Sequence, residues 1–476
     1  MNISGELWTW DACELAQGIR TGQFSSREAV ASCLERLDAM NSRVNAVTQV
    51  FAEQALAEAD RADQKRRRGE PLGSLHGVPV TFKETVDLKG SATTMGVPAL
   101  QDAIAESDSP AVANWKRAGA IAIGRTNTSP FAMRWHTDNE LWGPTLNPWD
   151  KTRTPGGSSG GAGAAVAVGI GPLAHGTDLG GSIRYPAYCC GVSGIRPTLG
   201  RVPAFNGTTA EERPLVVQLC AVQGLPARRV RDLRLGLAAM AAYDARDPWW
   251  VSAPMRGPDP VRPIRVALTT NPAGLGVNPA VEEALRRAGP ALENAGYAVE
   301  EVDPPSVEAT ADLWWRLVWN EMRQLQVPMM RKLCDKKVVH AMDLYLASAP
   351  NLDLVGYMRD WASRATHLRA WLLFLERYPL ILGPVSTELP FPVDFDIDIS
   401  ADAGAQKRAY RLMITVNLLG LPAAAVPTGL SNGVPVGVQI IGSRYREDLC
   451  LDAAEAIEAQ CGLETPIDAA WPSSAS

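Results

Sequence analysis

His76-Gly77-Val78-Pro79-Val80-Thr81-Phe82-Lys83 is the point at which the period of the chain changes. Before it, residues 9–70 read as helix. Asp11 can cap a helix through Ala12-Cys13-Glu14-Leu15, and Ser25-Ser26-Arg27-Glu28 has the form of a capping box before Ala29-Val30. Val30, Cys33, Leu34 and Leu37 recur at helical spacing. At residues 76–83 that spacing gives way to a short apolar run that ends in a lysine, which is the pattern of a strand. Pro110 to Arg117 then reads as a helix, and Ala120-Ile121-Ala122-Ile123-Gly124 as a second buried strand.

The alternation continues outward from there. Leu215 to Gln223 is apolar and strand-like, Val230 to Ala242 is helical, and Pro263 to Leu268 is a strand. Pro279 to Ala295 fits a helix, with a strand over Tyr297-Ala298-Val299. Residues 305–380 are mainly helical and rich in tryptophan. Ala423 to Pro427 and Val436 to Ile441 read as paired strands about a turn holding Ser431-Asn432-Gly433, and a last helix covers 446–460. Alternating elements predict an α/β fold with helices layered on one large sheet. No repeat or low-complexity linker divides the chain, so residues 1–476 are expected to form a single domain with a helical, Trp-rich region at about 305–390.

Composition narrows the function. The 476 residues are 46% hydrophobic and 21% charged, with a formal net charge of −6. A mildly acidic chain is poorly suited to grip nucleic acid through phosphates. Lys65-Arg66-Arg67-Arg68 follows a helical stretch and reads as its solvated end. Met1 to Trp10 lacks the basic-then-apolar pattern of a secretory signal. No apolar run reaches the roughly 20 residues of a membrane span. The eight cysteines form no CxxC pair, and adjacent Cys189 and Cys190 read as packed free thiols. The expected compartment is the reducing cytoplasm.

Two Gly/Ser blocks carry the chemistry. The first is Pro155-Gly156-Gly157-Ser158-Ser159-Gly160-Gly161-Ala162-Gly163, followed directly by the apolar run Ala164-Ala165-Val166-Ala167-Val168. The run places the loop at the start of a buried helix. It lacks the ending of a phosphate-binding loop. Ser158 fits GxSxG formally, yet the preceding Asp150 to Pro155 is too polar for the strand of a nucleophile elbow. The second block is Gly176-Thr177-Asp178-Leu179-Gly180-Gly181-Ser182-Ile183-Arg184. A serine after two glycines has uncovered backbone N–H groups, which can hold a developing oxyanion. Taken singly, each block also reads as an ordinary Gly-rich loop. None of the five histidines (76, 136, 175, 340 and 367) has a triad setting, and His175 reads as structural. Lys83 is the other base on offer. Burial would lower its pKa from about 10.4 to near 7–8, at roughly 4 kcal/mol, and leave a neutral amine able to act as general base. The competing reading is a surface lysine paired with Glu84.

Taken together these features resemble the amidase signature family, over about residues 9–460. The resemblance rests on Gly77 to Glu84, Ala118 to Asn127, Gly143 to Trp149, the two Gly/Ser blocks, Gly194 to Val202, Gly420 to Ala424 and Pro435 to Gly442. It implies a central mixed β-sheet covered by helices on both faces. It implies a catalytic lysine at Lys83, a bridging serine after a cis peptide at Ser158, and a nucleophile at Ser182. It also implies an oxyanion hole from the backbone of Leu179, Gly180, Gly181 and Ser182, with no metal or organic cofactor. Ser159, Asp178 and Arg184 match motif positions and are given supporting roles. Leu179 stands where the family often has threonine, and Thr81-Phe82 where it has smaller residues; neither change removes a catalytic group.

The implied reaction is two-step acyl transfer from a small amide. Phe131 to His136 is bulky, so Met133 and Trp135 are candidates for the substrate pocket, with Trp314, Trp315, Trp319 and Phe391. Such a lining favours a hydrophobic or aryl amide. Carbamates and esters pass through the same tetrahedral chemistry. The alternative is the glutaminase subunit of a tRNA-dependent amidotransferase. The partner expected is a small-molecule amide, not nucleic acid or membrane, and a homodimer is left open.

Overall fold

The computed structural model describes residues 6–209, 211–398 and 403–471. Its strands in chain order are β1 (Val47–Val50), β2 (Pro79–Lys83), β3 (Ile121–Thr126), β4 (Leu173–Ala174), β5 (Gly176–Asp178), β6 (Ser193–Arg196), β7 (Val222–Ala227), β8 (Arg265–Leu268), β9 (Ala298–Glu301), β10 (Leu380–Pro384), β11 (Ala423–Ser431) and β12 (Val434–Gly442). They form one sheet in the order β1-β3-β2-β4-β7-β6-β11-β12-β10-β8-β9, with β5 pairing β7 off that path. β2 runs parallel to β3 and β4, while β11 and β12 are antiparallel, so the sheet is mixed as expected.

Period-two alternation divides the strand side chains between two cores. Ile121 and Ile123 face one core, while Ala120, Ala122, Val80 and Phe82 face the other. The first is covered by helices that include Gly160–Ala167, Arg184–Cys190 and Val307–Leu325. The second is covered by Ala12–Thr21, Pro110–Arg117, Val230–Met240, Pro279–Asn294 and Glu447–Cys461. Among the described residues, no helix is long and apolar enough to cross a membrane.

The expected cap at Asp11 and the expected capping box at Ser25 are present, and Asp11 also forms a full box: Asp11 accepts from Glu14 N–H and Ser25 from Glu28 N–H, and each glutamate accepts from the cap residue's own N–H. Two expectations need correction. Residues 9–70 are not wholly helical. Asn45 closes the second helix in a left-handed conformation, and the β-branched segment behind it pairs with β3 as β1. Residues 215–223 are not one strand either. Leu215–Cys220 is a helix started by Pro214, with Val216 and Cys220 buried one turn apart, and β7 begins only at Val222. Glu321 accepts from Val216 N–H at 2.8 Å, a contact 105 residues away that local sequence cannot announce.

The strand that ends in Lys83 is anchored by aromatic packing. Phe82 lies 5.6 Å from Trp115, whose indole N–H donates to Gly236 O at 2.8 Å. Both rings are fully buried. Trp115→Ala removes that floor and is expected to lower stability by about 3–5 kcal/mol, read as a shift of the urea midpoint with the slope unchanged.

Candidate active site

Strand ends and helix starts converge on one buried point. Lys83 closes β2, Asp178 closes β5, and Ser158 and Ser182 sit just ahead of the helices Gly160–Ala167 and Arg184–Cys190. All eight residues of the first helix are buried, and all are Gly, Ala or Val. Small side chains let the segment pack close to its neighbours. A Cβ on Gly157 would lie 2.6 Å from Arg134 O, so only glycine fits before Ser158. The Gly157–Ser158 peptide is cis, as the resemblance implies.

Lys83 has no solvent exposure. Its Nζ donates to Ser158 Oγ at 2.7 Å and to Thr177 Oγ1 at 2.9 Å. Burial lowers its pKa to about 7, against an opposing pull from Asp178. The surface reading of Lys83 fails, because Glu84 is turned elsewhere and accepts from Thr48 and Thr94. A lysine near neutral pKa, in contact with a hydroxyl, can exchange a proton with it. His175 cannot take that part: burial drives its pKa to about 3, and its Nε2 lies 2.8 Å from Gln223 Oε1.

Ser182 lines a small cavity with Met133, Trp135, Trp314, Val318 and Trp319. The structure joins the two serine segments through backbone: Ser159 N–H donates to Ser182 O at 3.3 Å. Among the described residues no hydrogen bond links the Ser158 and Ser182 hydroxyls. Ser159 Oγ also reaches Thr177 O at 3.4 Å.

Asp178 holds the second Gly/Ser block in shape. Burial alone would raise its pKa, but the neighbouring Arg184 and Arg196 hold it well below the usual carboxylate range. Its carboxylate accepts from Gly181 N–H at 2.8 Å, Arg184 Nε at 3.1 Å and Asn417 Nδ2 at 2.7 Å. Gly181 has φ of +101°, a backbone open to glycine, and a Cβ there would meet Met413 Sδ at 2.1 Å. Its N–H is taken by Asp178, so of the four expected oxyanion donors three remain free of protein acceptors among the described residues: Leu179, Gly180 and Ser182.

The pocket differs from expectation in two members: Phe391 does not line it but stacks on Phe395 at 4.2 Å, and Trp315 does not line it either. Met133, Trp135 and Trp319 line it, but Trp315 stands behind, stacked at 6.1 Å on Trp135 with its indole donating to Ser348 Oγ. Trp314, also a candidate, does line it. Arg134 fixes the wall by binding both oxygens of Asp396, at 2.8 and 2.6 Å. Sequence reasoning missed Thr177 and Asn417. Thr177 lies inside the quoted block, which was its only signal; Asn417 had none.

The amidase family model matches residues 28–451. An indoleacetamide hydrolase of Bradyrhizobium diazoefficiens is 49% identical over 461 residues, covering 96% of this chain and 88% of the relative. A glutamyl-tRNA(Gln) amidotransferase subunit of Moorella thermoacetica is 33% identical over 95% of this chain and 97% of its own. A solved bacterial aryl acylamidase of the amidase signature family superposes with a TM-score of 0.81 at 27% identity, over 95% of this chain and 96% of that one. The fold, the family match and these relatives define an amide hydrolase. The chain belongs to the amidase signature family.

The depressed pKa of Lys83 has a consequence for stability. Between pH 7 and 10.5 the unfolded lysine carries a proton that the folded one lacks, so this group makes stability rise with pH across that window. Below it, the buried position costs stability. Lys83→Met is therefore expected to be at least as stable as the parent at pH 7. Its advantage should shrink toward pH 10 when melting temperatures are compared across that range.

Proposed function

We propose that the chain hydrolyses small aryl amides through an acyl-enzyme on Ser182, with Lys83 as the ultimate base acting through Ser158. The contact between buried Lys83 and Ser158 at 2.7 Å carries this reading. In its neutral form Lys83 takes the Ser158 proton, and Ser158 takes that of Ser182. Ser182 attacks the amide carbonyl, and the free N–H groups of Leu179, Gly180 and Ser182 receive the oxyanion. Ser158 returns the proton to the departing nitrogen. Water then releases the acid by the same route. Asp178, Arg184 and Ser159 support the strip rather than the chemistry.

The cavity beside Ser182, walled by Met133, Trp135, Trp314 and Trp319, favours an aromatic acyl group. Likeness to the indoleacetamide hydrolase supports an arylacetamide such as indole-3-acetamide as substrate. Carbamates and esters of the same shape fit the same chemistry. The amidotransferase relative favours a glutaminase reading, but an indole-lined wall offers little to a glutamine side chain. The free state of all eight cysteines is in keeping with a cytoplasmic setting.

Purified protein is expected to turn over indole-3-acetamide and phenylacetamide at least about tenfold better, in kcat/KM, than an aliphatic amide or glutamine, a pocket preference of about 1.4 kcal/mol or more. Equal rates on glutamine would contradict the aryl reading. Ser182→Ala is expected to lose at least about 10⁴-fold in kcat, and Lys83→Ala about 10²–10⁴-fold.

Because the base must be neutral, kcat/KM is expected to rise with pH and level off above an apparent pKa of about 7. The Lys83→Ala variant should lack that step in a steady-state pH profile.

A further inference from the structure

The two indoles nearest Ser182 do more than line a cavity. Trp135 Nε1 donates to Gly180 O at 2.9 Å, and Trp314 Nε1 donates to Leu179 O at 3.2 Å. In a trans peptide the C=O and the following N–H point in opposite directions. Holding a carbonyl therefore aims the next residue's N–H. The bond from Trp314 to Leu179 O aims the N–H of Gly180 away from that indole. The bond from Trp135 to Gly180 O turns the N–H of Gly181 the other way, where Asp178 accepts it at 2.8 Å.

The same clamping occurs on either side. Asp178 O accepts from Arg196 Nη1 at 2.7 Å and Asn417 Nδ2 at 3.1 Å, which aims Leu179 N–H. Gly181 O accepts from Tyr185 N–H at 2.7 Å, which aims Ser182 N–H. Every carbonyl of the strip thus has a fixed donor, and two of the four carbonyls depend on indoles. The rings cannot easily drift. Trp135 packs against Tyr410 at 5.0 Å, Tyr345 at 5.7 Å and Trp315 at 6.1 Å. A Cβ on Gly180 would meet Trp314 Cζ2 at 2.9 Å, so glycine there admits the indole.

We propose that Trp135 and Trp314 are positioning residues that set the oxyanion strip through their indole N–H groups, separately from any contact with the acyl group. This rests on the reading of Ser182 as nucleophile. A pre-aimed donor stabilises the transition state without reorganising, so losing the clamp lowers kcat rather than ground-state binding.

Replacement of Trp135 or Trp314 by 3-benzothienylalanine keeps the ring shape and exchanges N–H for sulfur. Each is expected to lower kcat on indole-3-acetamide by about tenfold, with KM changed by less than about threefold. An arylboronic acid, which forms a tetrahedral adduct on a nucleophilic serine, should bind weaker in proportion to kcat/KM. The product arylacetic acid should bind as before. The same replacement at Trp315, whose N–H goes to Ser348, is expected to cost less than about twofold. Trp135→Phe and Trp314→Phe, with folding checked by thermal melting, should show the same split. Unchanged kcat in both sulfur variants, or an equal loss at Trp315, overturns the assignment. Ser182→Ala measured alongside separates the two levels. Turnover by that variant defeats the nucleophile reading itself, whereas a dead Ser182→Ala with intact indole variants defeats only the tryptophan assignment.

Discussion

Lys83 has been taken out of water at the end of a sheet strand, and the surrounding architecture answers that constraint. A shift from 10.5 to about 7 corresponds to roughly 5 kcal/mol disfavouring the charged form. The fold supports that cost with the fully buried Phe82 and Trp115 beneath the strand. It then gives the amine two hydroxyl neighbours, Ser158 and Thr177, and, among the described residues, no carboxylate in direct contact. The nearby charge of Asp178 opposes the shift without cancelling it, because that carboxylate is already committed to Arg184 and Asn417.

Asp178 is the second fixed point. It lies at the end of β5, on the strand whose Thr177 touches Lys83, and its carboxylate grips Gly181, Arg184 and Asn417. One short stretch thereby couples the lysine to the backbone strip ahead of Ser182. The Trp-rich helix Val307–Leu325 adds the outer wall, and the loop holding Trp135 adds the facing one. In the proposed mechanism the cavity wall and the oxyanion strip share Trp135 and Trp314, which would couple substrate selection to transition-state geometry.

Much of this was legible from sequence where the cause is local. The capping boxes at Asp11 and Ser25, the helix from Pro110 to Arg117 and the hairpin of β11 and β12 depend on neighbours a few residues apart. Lys83, Ser158 and Ser182 stood out as candidates only through the chain-long resemblance, because each Gly/Ser block taken alone also reads as an ordinary loop. What stayed hidden depends on distant partners. Thr177 meets Lys83 across 94 positions, and Asn417 meets Asp178 across 239. Whether Trp314 or Trp315 lines the cavity turns on the rotation of one helix, which tryptophan content does not report. That Gly181 gives its N–H to Asp178 is likewise a matter of peptide orientation, beyond any motif.

Lys83 can act as the proposed base only if it is neutral near physiological pH. The most direct test of that state is a titration of the Lys83 side chain by ¹⁵N NMR, in protein labelled at lysine Nζ and assigned by comparison with Lys83→Met. A midpoint near 7 is the result expected from its burial. A midpoint above about 10, that of an ordinary solvated lysine, would contradict the proposed base.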